Sequence, residues 1–339
     1  MPLTQRPDFP RRLTLEPTNR CNLLCSFCPR QIGPMEQGDM DMGLYRRIIA
    51  EAAGYGPVGL VLFFRGESLL HPGLLDMVGL AREQGLRPVQ LASNGLALTA
   101  PVAEALAGGG LDFISFSLDC LDPEIYHQNR TGGDLELAVD NALRFISLVD
   151  RRRAKGLPTP EVQVSSVDVA AYRGRMEEFI SFWRTRVDRV RVYVEHSADG
   201  RPGSLAQGLF AAPNGAMLRR KAVWPGPVVR EQISAAADHN QPLRRQPCLK
   251  LYNDMVVYFN GQAALCNHDW RNEMNLGDLN HQSVREVWLS AAYEELRRAD
   301  RAGEPAPGSA CLHCDHWRMY YEEDGFLGRL YERARNEGQ

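Results

Sequence analysis

The sequence predicts an α/β fold, a partial (β/α)6 barrel followed by a small α+β domain. Three observations predict it. From Leu13 to Val194 short β-rich runs alternate with amphipathic helical stretches. After Pro247 a hairpin pattern followed by helices replaces that alternation. Each of the two regions also carries its own cluster of cysteines.

The strands of the first region read in order as "LTLE" (Leu13 to Glu16), "GLVLFF" (Gly59 to Phe64), "PVQLA" (Pro88 to Ala92), "FISFSL" (Phe113 to Leu118), "EVQVSSV" (Glu161 to Val167) and "DRVRVYV" (Asp188 to Val194). Between them lie "GLYRRIIAEAA", "LLDMVGLAREQ", "DLELAVDNALRFISLVD" and "RMEEFISFWRTR", whose apolar residues recur at helical spacing. Strands separated by helices are joined by right-handed crossovers and are therefore parallel. Six such units are fewer than the eight that close a barrel, so the wall stays open. Its mouth lies at the carboxyl ends of the strands, where barrel active sites are built.

From His196 to Pro247 the pattern fades into "HSADGRPGSLAQGLFAAPNGA" and "AVWPGPVV", rich in Gly and Pro, with a short helical pattern around "REQISAAADH". This is either a bridge or a flap over the substrate. From Cys248 a hairpin, "DMVVYFNGQAALC", turns at Asn260–Gly261. It is followed by "NLGDL", the helix "SVREVWLSAAYEELRRAD", a flexible "AGEPAPGSA", "CLHC" and a terminal amphipathic helix. The expected division is 1–195 for the barrel, 196–247 for the connecting segment and 248–339 for the second domain.

Composition bounds the function. A chain of 339 residues with 44% hydrophobic and 24% charged residues is an ordinary globular protein, long enough for a core domain and an accessory one. A net charge of −3 exerts no general pull on nucleic acid or anionic membranes. No run of about 18 apolar residues is present, and "MPLTQRPDFPRR" lacks the apolar core of a signal peptide, so a cytoplasmic location is expected. In a reducing compartment the eight cysteines are not expected to form disulfides. Their clustering favours metal or iron–sulfur ligation.

Cys21, Cys25 and Cys28 stand in "CNLLCSFC" directly after the first strand, with Phe27 before the third. A zinc knuckle would need a fourth ligand, and no Cys or His follows closely. This Cys-x3-Cys-x2-Cys loop resembles the signature of the radical S-adenosylmethionine (SAM) superfamily, and the resemblance covers the barrel. It implies a [4Fe–4S] cluster on three thiolates with one iron left open. SAM fills that site through its amino and carboxylate groups. An electron from an external donor such as flavodoxin or ferredoxin then cleaves SAM to methionine and a 5′-deoxyadenosyl radical, which takes a hydrogen atom from substrate.

Further positions match the family at successive strand ends. Gly66 and Glu67 in "FRGES" match its Gly-Glu pair, whose backbone contacts the SAM amino group. Ser93 and Asn94 in "ASNG" fall where the family often has polar SAM contacts, Ser117 and Asp119 in "SFSLD" are expected to face the lumen, and Ser165 and Arg175 are less specific candidates for cofactor binding. Each alone also reads as a cap or turn residue; their succession carries the weight.

Cys248, Cys266, Cys311 and Cys314, with "NLGDL" and "SVREVW" between, resemble the C-terminal auxiliary-cluster module of radical SAM enzymes (the SPASM/twitch type) in its short, single-cluster form. The resemblance implies a second [4Fe–4S] cluster closed by four thiolates, suited to electron transfer. The rival is a structural four-cysteine zinc site, which His268, His313 and His316 keep open. Cys120 remains. In relatives that invert a stereocentre a thiol donates a hydrogen atom, and Cys120 is the candidate for that catalytic role. Strand alternation instead puts it with Phe116 and Leu118, as a small buried apolar residue.

Several residues carry weaker alternatives. Arg219, Arg220, Lys221, Arg244 and Arg245 would suit an anionic substrate group or simply be solvated. Tyr252, His268, Asp269 and Trp270 would line the pocket or pack, while Trp317, Tyr320 and Tyr321 would anchor the last helix. Glu16, Asp119, Asp168 and Glu195 are the candidates for a general base. The leading expectation is a radical SAM dehydrogenase that oxidises a carbinol to a ketone on a polar small molecule, with the auxiliary cluster as electron acceptor. This resembles the radical SAM dehydrogenases of aminocyclitol antibiotic pathways. The alternatives are an epimerase using Cys120, a peptide-modifying maturase, a decarboxylase and a non-enzymatic electron-transfer module. Against the maturase, the first strand begins near Leu13 and leaves no room for an N-terminal peptide-recognition domain, although a separate chain could supply one.

Overall fold

The computed structural model describes residues 6–32, 35–168, 170–194, 228–230, 245–305, 307–312, 314 and 317. His313, His316, Glu195, Arg219, Arg220, Lys221, Arg244, Tyr320, Tyr321 and the terminal helix lie outside the described residues, as does the helical pattern from Glu231 onward.

The six expected barrel strands are present: β1 (Arg12–Leu15), β2 (Gly59–Leu62), β3 (Val89–Ser93), β4 (Phe113–Ser117), β5 (Glu161–Asp168) and β6 (Arg189–Val194). They pair in parallel in sequence order, each with the next. Three more strands extend this one sheet: β7 (Val228–Arg230), β8 (Asp254–Val257) and β9 (Ala263–Ala264). β7 adds to β6 in parallel, so the segment expected to be a bridge or a flap contributes a strand. β8 pairs in parallel with β1, and β9 runs antiparallel to β8. The expected hairpin of the second domain is therefore fused to the barrel wall. It turns at Asn260–Gly261, where Gly261 adopts φ +86°, a conformation that favours glycine. Among the described residues the sheet ends at β9 and β7 and is open.

Helices α1 (Met42–Ala53), α2 (Leu74–Glu83), α3 (Ala100–Gly108), α4 (Pro123–Asn129), α5 (Leu135–Arg153) and α6 (Met176–Trp183) fill the crossovers. Their starts follow local chemistry. Asp41 and Asp134 cap α1 and α5 by accepting backbone N–H bonds at 2.9 Å each. Asp122 caps α4 from two backbone N–H groups and is followed by a proline, whose missing N–H costs nothing at a helix start. In α1 the buried residues Leu44, Tyr45, Ile48, Ile49 and Ala52 form one stripe against the sheet. The single helix expected over "SVREVWLSAAYEELRRAD" is two, α7 (Val284–Trp288) and α8 (Ala291–Ala302), because Ser290 caps a new start.

Alternation along the strands separates the two faces of the wall. Ile114, Phe116, Val162, Val164, Val190 and Val192 join the core beneath the helices. The other face carries Ser115, Ser117, Gln163, Ser165 and Arg191. Register sets Ser117, Ser165 and Arg191 side by side across three strands. This face is thus polar along these three strands, whereas Phe64, Val256, Tyr258 and Ala264 form a separate apolar cluster. Among the described residues no helix is long and apolar enough to cross a membrane.

Candidate active site

The loop after β1 carries Cys21, Cys25 and Cys28 at the carboxyl end of the barrel, and three sets of contacts clamp it. On one side Gly66 admits no side chain: a Cβ there would lie 2.2 Å from the Thr18 carbonyl oxygen and 2.6 Å from that of Arg20. The Glu67 N–H donates to the Arg20 carbonyl at 2.8 Å. At the start of the loop Asn19 bridges the Glu36 carbonyl and the Gly38 N–H. On the opposite side Leu24–Cys25 pairs antiparallel with Arg130–Thr131, and Ser26 bonds Asn129 through backbone at 2.8 Å and side chain at 3.0 Å.

Glu67, Ser93 and Asn94, expected as SAM contacts, lie together and brace this loop. The buried Glu67 carboxylate accepts the N–H groups of Asn94 (2.7 Å) and Leu69 (3.0 Å), and burial pushes its pKa up. Asn94 donates through Nδ2 to Asn22 Oδ1 at 2.8 Å, inside the cysteine loop. Ser93 Oγ accepts the Gly95 N–H at 2.9 Å. Gly66→Ala is accordingly expected to push the loop off its seat, with most bound iron lost while the far-UV circular dichroism stays native.

Ser117 and Ser165 are register partners on the interior face. Arg175 is not with them: 53% exposed, it precedes α6 and pairs with Asp122 and Glu178, both at 3.3 Å. Its place after the fifth strand is a surface one, because the chain has by then turned toward α6.

Two candidate bases are spoken for. Glu16 is fully buried, and its two oxygens face the Arg65 guanidinium at 2.7 Å each. It also accepts the N–H groups of Arg65 and Phe259. Asp119 is paired with Arg130 at 2.6 Å, both buried. Glu16 thus accepts four N–H bonds, two on each oxygen, and has no lone pair left for a proton, while the Arg130 cation holds Asp119 through Oδ2. The Asp168 side chain and Glu195 lie outside the described residues. Cys120 is 1% exposed and belongs to the apolar core with Phe116 and Leu118. Burial pushes its thiol up to about 12. Cys120 lies beyond the end of β4 and follows the left-handed Asp119, so its burial comes from packing rather than from strand alternation.

The second set, Cys248, Cys266, Cys311 and Cys314, also converges. Each of Cys248, Cys266 and Cys311 feels the charge of Cys314, and Cys311 feels all three others. Their carriers are tied together. Arg245 donates to the carbonyls of Cys311 (2.9 Å) and Cys314 (3.2 Å) and pairs with Asp300, while Asp300 accepts the Cys248 N–H at 2.8 Å. Arg245, expected to suit a substrate anion, is a strut of this site. Tyr252 is packing: buried, it donates to the Arg297 carbonyl at 3.1 Å. Asp269 shapes the loop after Cys266 by accepting the N–H groups of Leu265, Glu273 and Met274. Trp270 reaches the barrel. Its carbonyl accepts from Arg65 at 3.1 Å, and its ring packs 5.3 Å from Phe64. Arg65 also lies 3.8 Å over the Tyr258 ring. The loop behind Cys266 is therefore bonded to the residue that neutralises Glu16 at the barrel mouth.

Both cysteine sets fit iron–sulfur clusters. All eight cysteines are free thiols, and the seven in the two sets are half-buried while Cys120 is buried. Cys25 feels Cys21 and Cys28, and burial pushes its thiol up to about 12, a cost that a bound iron removes by holding the thiolate. The hydroxyls of Tyr126 and Tyr172 are buried with no hydrogen-bond partner among the described residues. Among the described residues no three Cys, His, Asp or Glu side chains converge tightly enough for one metal ion. A cluster spreads its thiolates over separate irons.

Sequence reasoning passed over Arg65, Arg130, Asn22 and Asn129. The first lies inside a motif read only for its Gly-Glu pair. The second and fourth stand in "NRTGG", whose paired glycines signal a turn and say nothing of the loop it meets.

A family model described as the radical SAM superfamily matches residues 15–159, and one described as an iron–sulfur cluster-binding domain (SPASM) matches residues 248–315. The tungsten-containing aldehyde ferredoxin oxidoreductase cofactor-modifying protein of Pyrococcus furiosus is 33% identical over 309 residues, spanning 84% of this chain and 82% of that one. GTP 3′,8-cyclase of Chlorobaculum tepidum is 36% identical over 108 residues, 32% of each chain. Among solved structures, Streptococcus suis SuiB bound to its precursor peptide SuiA superposes with a TM-score of 0.65 at 14% identity, covering 94% of this chain and 74% of that one. Native anSMEcpe with bound AdoMet gives 0.60 at 15%, covering 96% and 99%. These two likenesses concern the fold. The chain is a member of the radical SAM superfamily, an enzyme whose cofactors are SAM, the [4Fe–4S] cluster that binds it and auxiliary iron–sulfur in a C-terminal SPASM domain.

Proposed function

We propose that the protein oxidises a carbinol to a ketone on a polar small molecule of the aminocyclitol or aminosugar type. In this reading Cys21, Cys25 and Cys28 hold the SAM-binding cluster, and Cys248, Cys266, Cys311 and Cys314 hold one auxiliary cluster. When bound, SAM and its cluster supply a radical that takes one hydrogen atom from the substrate. The remaining balance is one proton from the hydroxyl and one electron, as the C–H and O–H bonds give way to C=O. The observation that supports oxidation is the set of four neighbouring thiols, one of which, Cys266, precedes a loop bonded to the barrel mouth through Arg65 and Trp270, so that a cluster held there would serve as the electron acceptor. The polar row of Ser117, Ser165 and Arg191 would orient the hydroxyl groups. Gly66, Glu67, Ser93 and Asn94 keep the cysteine loop seated for SAM.

The test uses an aminocyclitol deuterated at the carbinol carbon, incubated anaerobically with reduced enzyme and SAM. Deuterium in 5′-deoxyadenosine together with one equivalent of ketone is expected. A product inverted at that carbon, carrying hydrogen from solvent, would contradict the reading. Cys120→Ala separates the same alternatives: buried in the core, Cys120 is expected to be dispensable for turnover, whereas an epimerase would lose inversion.

A second substrate reading rests on the Pyrococcus furiosus relative, a cofactor-modifying protein by its description, which this chain matches over most of both lengths. A small cofactor precursor with an oxidisable carbinol would satisfy the same interior surface. Turnover of such a precursor in preference to aminocyclitols would select it.

A further inference from the structure

The buried ion pair between Arg130 and Asp119 has a position that loop anchoring alone does not explain. Arg130 is the cross-strand partner of Cys25 in the short ladder that clamps the cysteine loop. Its side chain turns inward, 5% exposed, and donates through Nε to Asp119 Oδ2 at 2.6 Å. The guanidinium stands 5.7 Å from the Phe27 ring and 5.9 Å from the Tyr126 ring, within the cysteine loop and under it. Asp119 is fixed on the far side. Its backbone is left-handed, with φ +62°, and its carbonyl accepts from Ser166 Oγ at 2.7 Å.

The pair is neutral overall, yet Arg130 is the partner that belongs to the ladder clamping the cysteine loop, so the cation lies on the loop side of the pair. Arg130 stands directly opposite Cys25 in the strand ladder, and its guanidinium lies 5.7 Å from the ring of Phe27, the neighbour of Cys28 in sequence. Burial of both partners keeps water from screening the field of that cation. A reduced cluster carries one more negative charge than an oxidised one, so a fixed nearby cation favours reduction. Local charge is one of the terms that set cluster potential.

We infer that the Arg130–Asp119 pair sets the reduction potential of the SAM-binding cluster, with Arg130 raising it and Asp119 lowering it. Arg130 is thus a tuning and positioning residue, distinct from the SAM contacts. The inference rests on the reading that Cys21, Cys25 and Cys28 hold that cluster.

The test is an EPR-monitored redox titration of the reconstituted full-length protein, following the part of the reduced signal that SAM perturbs, after iron content has been measured. The variants are Arg130→Gln, Asp119→Asn and Arg130→Lys. Asn tolerates the left-handed conformation at position 119. At the wild-type midpoint, Arg130→Gln is expected to lower the ratio of reduced to oxidised cluster about tenfold, equivalent to about 59 mV for a one-electron couple. Asp119→Asn is expected to raise the ratio, and Arg130→Lys to leave it near wild type. A purely structural ion pair would not give shifts of opposite sign. Iron-loaded variants that all titrate at the wild-type potential, or that shift in the same direction, would overturn the inference. If Arg130→Gln fails to assemble a cluster, the other two decide: a raised Asp119→Asn value beside an unchanged Arg130→Lys value supports it, and an unmoved Asp119→Asn overturns it. Wild-type protein that binds no iron at Cys21, Cys25 and Cys28 would overturn the underlying reading of the loop and this inference with it.

Discussion

Arg65→Ala is expected to destabilise the fold by about 3–5 kcal/mol, the cost of leaving a buried charge without its partner. Glu16 is 0% exposed and Arg65 7%, so water cannot replace the lost guanidinium. The carboxylate would keep only two backbone N–H groups, at 3.2 and 3.1 Å. The change would also release the Trp270 carbonyl and the face of Tyr258, loosening the Cys266 loop from the barrel. Urea unfolding of the reconstituted protein measures it. A loss below about 1 kcal/mol would mean that the pair is solvated in solution as exposed pairs are. Arg65→Lys is expected to recover only part of the loss, because an ammonium cannot meet both carboxylate oxygens in the plane of a fork.

Cys25→Ala is expected to reduce 5′-deoxyadenosine formation to the background without enzyme and to remove about four irons per chain. Cys25 is the member of its set tied to the Arg130 ladder, and two thiolates cannot keep a three-thiolate cluster in place. Cys248→Ala is expected to act in the opposite sense. SAM would still be cleaved on reduction, but ketone formation would stop, since the electron left on the substrate would have no acceptor. Chromatography of nucleoside and product in both variants, at matched protein concentration, reads out this dissociation. Loss of SAM cleavage in both would tie the second cysteine set to the integrity of the first site.

The barrel was legible because its strands are short apolar runs bounded by turn residues, and Cys120 is found in the core cluster with Phe116 and Leu118, the small buried apolar role weighed for it. The pairing of β8 with β1 was not legible. Asp254–Val257 reads as one arm of a hairpin, and no local pattern tells which sheet edge will accept its other side. The same holds for Val228–Arg230 on β6. In the site, the cysteines and the Gly66–Glu67 pair stand out because ligand spacing and backbone approach are local properties. Arg65 and Arg130 do not. Each acts through a partner distant in sequence, Glu16 in one case and Asp119 with the Cys25 strand in the other, and a buried arginine looks like a solvated one until the fold closes around it. Arg175 errs in the other direction, since its position after the fifth strand suggested the interior while its contacts are on the surface.

The most direct test of the central claim is iron and acid-labile sulfide analysis, with EPR, on anaerobically reconstituted Cys21→Ala/Cys25→Ala/Cys28→Ala protein. The account predicts about four irons per chain and a signal that appears on reduction, both from the set at Cys248, Cys266, Cys311 and Cys314. Protein that holds zinc in place of iron would contradict it, since a zinc site cannot accept the substrate's electron.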